Sequence, residues 1–350
     1  MLWPASFNSL RSIGPIREVP IQSSPADQTL LRLLRMTRSH MTARTVVTIG
    51  NFDGVHRGHQ ALLRCAAEAA ASDSLQIVAL TFEPHPATWF RSMDPGTFRV
   101  TSSDERARLL MHYGADTVLT LPFDQELAEL QARDFVHDVL VQRLRAAHVV
   151  VGWDFTFGHH RQGTTDVLRE LGAEWDFGVR VLAPQLDESN ALPYSSTRVR
   201  NHLRNGEMAA MRELCGHGFS ITGMTRAGAG RGRGVGIPTV NLYPEGRLLP
   251  VHGVYATRIH AAGQWFDSIS NLGVRPTFED SRVVSLETMI LQDIGDRDLH
   301  DIPVQVELLE FIRPEKQFAD PESLRAQISA DVGVARQAHV AVTVHAPLLV

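Results

Sequence analysis

Two histidines one helical turn apart stand in the stretch of sequence best suited to chemistry. His56 and His59 lie in VVTIGNFDGVHRGH, where a short apolar run breaks into glycines. A strand that gives way to a helix at this point would present free backbone N–H groups and a helix dipole to a ligand. Histidines at positions i and i+3 can reach the same point. A metal site, a structural turn and a phosphate-binding loop are the three possible interpretations.

Phosphate binding is favoured over the other two. A metal site would need a third ligand, and no further histidine or carboxylate nearby stands in a recognised zinc pattern. The sequence contains a single lysine, Lys316, which excludes the Gly-Lys-Ser/Thr element of a P-loop, so other groups must hold the phosphates. The phosphate-binding residues predicted in this loop are Gly50, Asn51, Phe52, Asp53, Gly54 and Gly58.

A second group of candidates begins a predicted helix in YSSTRVRNHLRNG. Hydroxyl and guanidinium groups placed together can hold a triphosphate through charge-assisted hydrogen bonds. Arginine runs are more often solvated surface, but here the arginines share a helix start with three hydroxyl groups. The predicted phosphate-binding residues of this group are Ser196, Thr197, Arg198 and Arg200.

A third candidate is the glycine-rich run RAGAGRGRGVGIPTVNL. It does not match G-x-G-x-x-G, which disfavours a dinucleotide-binding turn. A flexible linker is the alternative, but this run leads directly into a strand-like segment. Thr239 and Asn241 share one face of that segment and could offer oxygen ligands to Mg²⁺. The residues predicted to cover phosphates are Gly228, Gly230, Arg231 and Gly232.

Two kinds of periodicity predict the elements that position these residues. Strands alternate with helices over residues 45–188, which predicts an α/β, doubly wound parallel sheet with its ligands at the carboxyl ends of the strands. Residues 189–214 form a connecting segment and a helix that complete this site. Short strands with glycine-rich turns over residues 215–338 predict a small β-barrel closed by a C-terminal helix. Residues 1–44 are predicted to be a non-catalytic extension and residues 339–350 a tail.

Composition restricts the partners and the compartment. The 350 residues carry a net charge of -5, which gives no overall attraction to nucleic acid or to a membrane surface. No apolar run is long enough to span a bilayer. Cys65 and Cys215 are the only cysteines, so a disulfide framework is excluded. A cytoplasmic protein without nucleic-acid or membrane partners is expected.

The motifs together resemble a known family. GNFDGVHRGH, FEPHP, GWDFTFG and SSTRVRNHLRNG occur in the order found in the FMN adenylyltransferase module of prokaryotic bifunctional riboflavin kinase/FAD synthetases, which are HxGH-type nucleotidyltransferases. PTVNL, SNLGVRPTF and SLETMIL resemble the riboflavin kinase barrel of the same family. The resemblance covers residues 45–336. Met289, DLHD and LCGHGF depart from the usual pattern, the last replacing a Leu-Gly-Arg-Pro type of segment.

This resemblance implies a two-step flavin enzyme. In the barrel, ATP with Mg²⁺ would phosphorylate riboflavin, with Glu287 as the base that deprotonates the ribityl 5′-hydroxyl. In the N-terminal domain FMN would attack a second ATP, giving FAD and pyrophosphate, with His56 and His59 stabilising charge on the ATP phosphates. The alternatives are an adenylyltransferase for another phosphorylated substrate and a flavin-binding regulatory protein with a lapsed kinase half. The residues assigned to a flavin or nucleotide pocket are Asp154, Phe155, Arg161 and Arg313.

Overall fold

The computed structural model of the protein describes residues 43–71, 73–187, 192–226, 239–276, 282–295 and 298–341. These residues form one parallel and one antiparallel β-sheet, each with helices packed against it. In the described ranges, no helix is long and apolar enough to cross a membrane. The predicted phosphate-covering residues, most of the N-terminal extension and most of the tail lie outside these ranges; the covering residues are Gly228, Gly230, Arg231 and Gly232.

The N-terminal sheet is parallel and has five strands. They are β1 (Thr45–Ile49), β2 (Gln76–Glu83), β3 (Thr117–Pro122), β4 (Ala146–Gly152) and β5 (Gly178–Leu182). Their order in space is β3-β2-β1-β4-β5. The register places Val47 opposite Val78 on one side and Val149 on the other. Every connection between consecutive strands contains a helix, as parallel neighbours require.

Helices cover both faces of this sheet. Val46 belongs to one apolar cluster with Leu63 and Ala66, and Val47 to a second cluster with Leu140. Because each face is covered, all five residues of β1 are buried, and the strand does not alternate between buried and exposed residues. The helical segments are α1 (Arg57–Ala70), α2 (Pro86–Arg91), α3 (Ser103–His112), α4 (Gln125–Glu129), α5 (Ala132–Asp134), a π-helical continuation over Phe135–Arg143, and α6 (Thr165–Glu174).

The strand order reverses next to β1. The chain proceeds from β1 to β2 and β3 on one side, then crosses to β4 and β5 on the other. The loops that leave the carboxyl ends of β1 and β4 therefore diverge and leave a crevice between them, which is where ligands bind in open α/β sheets. VVTIGNFDGVHRGH and VVGWDFTFG are the two sequences that end at this crevice.

Two helices lead from the first sheet to the second. In α7 (Ser196–Asn205), the Ser195 hydroxyl caps the first turn by accepting a hydrogen bond from the Arg198 N–H (3.3 Å). The chain then turns at Gly206, whose φ of 74° lies in the left-handed region, and continues as α8 (Met208–Cys215). The apolar faces of both helices pack into the core of the second sheet.

The second sheet is antiparallel and curled. Its strands are β6 (Phe219–Met224), β7 (Thr239–Leu242), β8 (Gly253–Ala261), β9 (Gln264–Pro276), β10 (Arg282–Ile290) and β11 (Pro303–Arg313). They lie in the order β6-β11-β8-β9-β10-β7, and a bridge between Arg226 and Asn241 joins the two edges. The concave face encloses an apolar core, and α9 (Pro321–Ala341) packs its Ala335 and Ala338 outside the sheet. The predicted succession of parallel sheet, barrel and C-terminal helix is confirmed.

Candidate functional site

The loop after β1 has an unusual backbone. Phe52 (φ 46°), Gly54 (φ 77°) and Val55 (φ 36°) all adopt positive φ values, which a β-branched valine rarely does. The loop is held by hydrogen bonds from the Val55 N–H to the Phe52 carbonyl (3.2 Å) and from the Gln60 side chain to the Val55 carbonyl (2.9 Å). Such conformations persist where the surroundings over-determine them, and they cluster at functional sites.

His56 and His59 are brought together at the start of α1. Their rings stack with centroids 3.6 Å apart and planes 20° from parallel, and the Phe52 ring meets His59 edge-on at 5.3 Å. The Nδ1 atom of each histidine is buried and has no hydrogen-bond partner among the described residues. Two rings stacked this closely cannot both carry a positive charge without strong repulsion.

Burial keeps both rings neutral. Desolvation, assisted by the nearby charges of Arg200 and His217, lowers the pKa of His56 from 6.5 to about 3. The pKa of His59 is also lowered well below 6.5 by burial and by His56. A neutral imidazole offers one N–H donor and one acceptor nitrogen. Among the described residues no group of three His, Cys, Asp or Glu side chains is arranged to hold a metal ion.

Helix α7 carries its predicted phosphate-binding residues to the same loop. The Ser196 hydroxyl donates to the Asp53 carbonyl (2.8 Å), and Arg200 Nη1 donates to Asp53 Oδ2 (2.8 Å). Arg200 Nη2 also donates to Thr197 Oγ1 (3.3 Å), and its guanidinium lies 4.2 Å from the centroid of the Phe98 ring. Ser196 and Arg200 therefore contact the HxGH loop directly, and Thr197 contacts Arg200.

The Asp53 side chain, predicted to help bind phosphate, is bonded to other parts of the protein. Its side chain is fully buried, and its Oδ1 accepts hydrogen bonds from the N–H groups of Val100 (2.9 Å) and Thr101 (3.4 Å). A carboxylate enclosed in this way is unable to reach a phosphate, and its negative charge would repel one. The structure places Asp53 where it orients Arg200 instead.

The side chain of Arg198 in α7 contacts the segment that precedes this helix rather than the HxGH loop. Its Nη2 is 2.5 Å from Asp187 Oδ2, and its Nη1 donates to the carbonyls of Leu192 (3.3 Å) and Pro193 (3.2 Å). Arg198 would have to exchange these partners before it could hold a phosphate.

Gly50 and Gly58 line the loop, and a Cβ at Gly58 would lie 3.1 Å from the His56 ring.

A buried charged cluster under the loop was not predicted from the sequence. Glu83 Oε2 is 2.6 Å from Arg106 Nη2 and 3.1 Å from Arg99 Nη2, and both arginines are almost fully buried. Arg99 Nη1 donates to the Asn51 carbonyl in the loop (3.1 Å). These two arginines and Arg200 outnumber the carboxylates that they pair with, Glu83 and Asp53, so the cluster carries a net positive charge beside the loop.

His85 of the FEPHP motif belongs to this cluster. Its Nδ1 accepts a hydrogen bond from the Ala87 N–H (3.0 Å) and so caps α2. Burial, assisted by the charges of Arg99, Arg200 and Arg106, lowers the pKa of His85 from 6.5 to about 3. His85 could have been found from the sequence, because it lies in the FEPHP motif on which the family resemblance rests. The arginines lie in TFRVTSSDERARLL, where no spacing pattern distinguishes them from surface arginines.

The residues predicted for a flavin or nucleotide pocket fall in two places. Asp154, Phe155 and Arg161 follow β4 at the crevice, where the Phe155 ring stacks on that of Phe157 at 5.4 Å. Arg313 instead lies at the end of β11, where it pairs with Asp331 of α9 (2.7 Å). These four residues therefore do not share one site.

An exposed aromatic group also follows the carboxyl ends of β2 and β3. The ring of Phe123 meets those of Trp89 (6.4 Å) and Phe90 (5.7 Å) edge-on. Trp89 is 42% exposed and Phe90 67% exposed, which is unusual for side chains of this size. This aromatic group of Trp89, Phe90 and Phe123 was not predicted from the sequence.

The second sheet assembles its predicted residues in one row. Glu287 of β10 lies directly opposite Asn241 of β7 and Asn271 of β9, and Thr239 lies opposite Met289. Side chains of residues paired in this way project from the same face of an antiparallel sheet. The predicted base and both predicted magnesium ligands are therefore neighbours. Their hydroxyl, amide and carboxylate oxygens are the donor types that Mg²⁺ takes in proteins.

Comparison with known proteins separates the same two regions. A family model of FAD synthetase matches residues 38–198, and one of riboflavin kinase matches residues 215–339. The bifunctional riboflavin kinase/FMN adenylyltransferase of Escherichia coli strain K12 is 38% identical over 293 residues, covering 83% of this chain and 92% of that protein. The protein of the same name from Pseudomonas fluorescens is 38% identical over 291 residues, with coverages of 83% and 92%.

A solved structure shows the same fold over both regions. It is a crystal structure described as a macrolide-efflux protein from Streptococcus pneumoniae, with 30% identity and a TM-score of 0.76. It covers 85% of this chain and 95% of its own. The sequence similarity confirms the family predicted from the motifs, and the matched regions lie in the predicted order. The chain belongs to the bifunctional riboflavin kinase/FMN adenylyltransferase family.

Proposed function

We propose that this chain makes FAD from riboflavin in two ATP-dependent steps, one in each domain. The observation that carries the proposal is that each domain separately brings distant phosphate-handling residues together. Arg200 lies close enough to His56 to lower the pKa of its ring at the edge of the parallel sheet, and Asn241 is paired with Glu287 on the antiparallel sheet. The substrates are then riboflavin, FMN and ATP. Cys65 and Cys215 are both free thiols, which suits the reducing cytoplasm.

The first step is phosphorylation of riboflavin in the barrel. The Glu287 carboxylate accepts the proton of the ribityl 5′-hydroxyl as that oxygen attacks the γ-phosphorus of ATP. The bond between the γ-phosphorus and its bridging oxygen to the β-phosphorus breaks, and ADP leaves. A base must lie within about 3 Å of the proton that it takes, or reach it through one water. Thr239 and Asn241 would hold Mg²⁺ beside Glu287, where the ion neutralises charge on the transferred phosphoryl group.

The second step is adenylylation of FMN in the N-terminal domain. A phosphate oxygen of FMN attacks the α-phosphorus of a second ATP, and pyrophosphate leaves without a covalent enzyme intermediate. His56 and His59 donate hydrogen bonds to phosphate oxygens, while Arg200 and the first turn of α7 hold the departing pyrophosphate. Catalysis of this kind depends on positioning and on charge stabilisation more than on covalent chemistry.

The flavin of the second step is proposed to lie on the aromatic group of Trp89, Phe90 and Phe123. A flat ring system stacks well on exposed aromatic side chains. These side chains follow β2 and β3, at the same edge of the sheet as the HxGH loop. Asp154, Phe155 and Arg161 would line the other side of the crevice.

Product analysis of paired variants tests this proposal. Purified protein is incubated with riboflavin, ATP and Mg²⁺, and FMN and FAD are separated chromatographically. Wild type should give both products, His59→Ala should accumulate FMN, and Glu287→Gln should give neither unless FMN is added. The matched controls are His112→Ala and Glu310→Gln, which change an exposed histidine and an exposed strand glutamate. Flavin binding without either product would overturn the proposal in favour of a regulatory protein.

A further inference from the structure

Arg247 is a barrel residue whose side chain leaves its own domain. It lies between β7 and β8 and is 7% exposed. Its Nη1 donates to the Ser220 carbonyl of β6 (2.9 Å) and to both carboxylate oxygens of Glu105 (2.6 and 2.7 Å). Glu105 lies in the first turn of α3 in the other domain. Its Nη2 donates to the Val100 carbonyl. A single guanidinium therefore joins the barrel to residues 100–105 of the N-terminal domain.

The segment that Arg247 contacts is the one that holds Asp53. The carbonyl of Val100 accepts from Arg247, and the N–H of the same residue donates to Asp53 (2.9 Å). Asp53 in turn binds Arg200 (2.8 Å). Val100 is thus the only residue between Arg247 and Asp53 in this chain of hydrogen bonds. Asp53 in turn orients Arg200, the arginine proposed to bind pyrophosphate.

Two neighbouring contacts reinforce this connection. The N–H of Leu248, next to Arg247, donates to the Arg99 carbonyl (2.6 Å). Thr101 Oγ1 accepts from the Gly54 N–H of the HxGH loop (3.4 Å). Residues 99–101 are therefore bonded to the barrel through their carbonyls and to the HxGH loop through their N–H groups and a hydroxyl.

We propose that Arg247, a residue of the kinase barrel, is a positioning residue for adenylyl transfer in the other domain. It fixes residues 99–101, which fix Asp53, which fixes Arg200 against the ATP phosphates. Arg247 itself touches no substrate. The guanidinium makes charge-assisted hydrogen bonds in fixed directions to several acceptors, and these bonds hold residues 99–101 in one position. The proposal rests on the proposed function of the N-terminal domain.

The alternative is that Arg247 only stabilises the contact between domains. A purely structural residue would lower stability and both activities together. A positioning residue should lower FAD formation from FMN and spare FMN formation from riboflavin, because Glu287 and Asn241 lie in a separate row of the barrel. Displacement of a catalytic group by about 1 Å costs roughly 100-fold in rate.

Steady-state kinetics of Arg247→Ala test the proposal in the full-length chain. We expect kcat/KM for ATP in FAD formation to fall about 10- to 100-fold, with KM for FMN and the rate of riboflavin phosphorylation unchanged. Arg247→Lys, which keeps the positive charge opposite Glu105 with fewer directed donors, should recover part of the loss. If Arg247→Ala does not fold, the same kinetic measurements on Arg247→Lys test the proposal.

The control is Arg258→Ala, which removes another buried barrel arginine whose partner Glu307 lies in the barrel itself (2.6 Å). It should lower stability without a selective loss of FAD formation. Unchanged FAD formation in Arg247→Ala, or a parallel loss of both activities, would overturn the proposal. A wild-type protein that makes no FAD would overturn the proposed function instead, so the two failures are distinguishable.

Discussion

The two domains differ in the kind of polar group that each encloses. The N-terminal domain buries charges, with Arg99, Arg106 and Arg200 beneath the HxGH loop beside two neutral histidines. In the barrel, Thr288 lies next to Glu287 in β10 and belongs to a buried chain of hydroxyls, in which Thr257 bonds Ser268 and Ser270, and Ser270 bonds Thr288, each at 2.8 Å. The buried ion pair of the barrel, Arg258 with Glu307, joins β8 to β11 instead. The hydroxyl chain is satisfied internally at every link.

The difference follows from what each domain must hold. A site at the carboxyl edge of a parallel sheet has free backbone groups and a crevice, and charges placed beneath it would act on the proposed phosphates through a low-dielectric interior. The row of Thr239, Asn241 and Glu287 instead lies on the outer face of the curled sheet, because the alternating Val240, Leu242 and Leu286 belong to the enclosed core.

The largest expected effect is on the barrel. Glu287→Gln removes the proposed base, and general-base catalysis contributes roughly 100- to 10,000-fold. Riboflavin phosphorylation should fall by about 1,000-fold, whereas added FMN should still become FAD. The rate of each step is measured separately by product chromatography. Loss of both steps in this variant would show that the domains are not independent, and Glu310→Gln serves as the control.

A smaller loss is expected from the histidine pair. His59→Ala removes one preorganised donor to the phosphates, which costs about 100-fold or more in rate. FAD formation from FMN should fall accordingly, and FMN formation should be unchanged. Unaltered FAD synthesis in His59→Ala would refute the role assigned to this loop.

Stability should depend on pH through the N-terminal domain. The pKa values of His56 and His85 are about 3 in the folded protein, against an ordinary value of 6.5. Between these values the unfolded chain binds protons that the folded chain does not, so stability falls as pH decreases from 6.5 towards 3. Each histidine should contribute up to about 1.4 kcal/mol per pH unit in that range.

Urea unfolding at pH 7.5, 6.5 and 5.5 measures this dependence. His85→Gln should give a shallower decline than wild type, because one proton fewer is taken up on unfolding. His112→Gln, at an exposed position, should keep the wild-type slope. Equal slopes in all three proteins would mean that His85 is not held neutral by its surroundings.

The smallest effect is expected inside the barrel. Thr288→Val removes one hydroxyl from the chain and should cost about 1 kcal/mol, the typical net value of an intramolecular hydrogen bond. FAD formation from FMN should not change. Urea unfolding measures the loss, and Thr117→Val at an exposed strand position is the control. A change in the pH dependence of unfolding would contradict the neutral character of this chain.

Local patterns predicted much of this molecule. The HxGH loop, the hydroxyl and arginine cluster of α7, and the pair of Thr239 and Asn241 can be recognised because each lies within one short motif or one strand. Glu287, on a different strand, was indicated only by the family resemblance. The family resemblance then assigned these motifs to two activities. Alternation of strands with helices was sufficient to predict the parallel sheet.

Such local patterns do not predict contacts between residues that are far apart in the sequence. Glu83 meets Arg106 across 23 residues, and Arg247 meets Val100 across 147, with no spacing that links either pair. Asp53 stood in a phosphate-binding motif, and only the tertiary structure places it under Arg200. The charge of a residue was readable from sequence, but the partner that determines its role was not.

The central claim is that two independent sites divide the synthesis of FAD, and a mixing experiment tests it most directly. Glu287→Gln and His59→Ala are each incubated with riboflavin, ATP and Mg²⁺, separately and then in equal amounts together, and FAD is measured over time. Neither variant alone should make substantial FAD. The mixture should make it after a lag, because FMN released by His59→Ala becomes the substrate of Glu287→Gln. A mixture that accumulates FMN without forming FAD would contradict the claim.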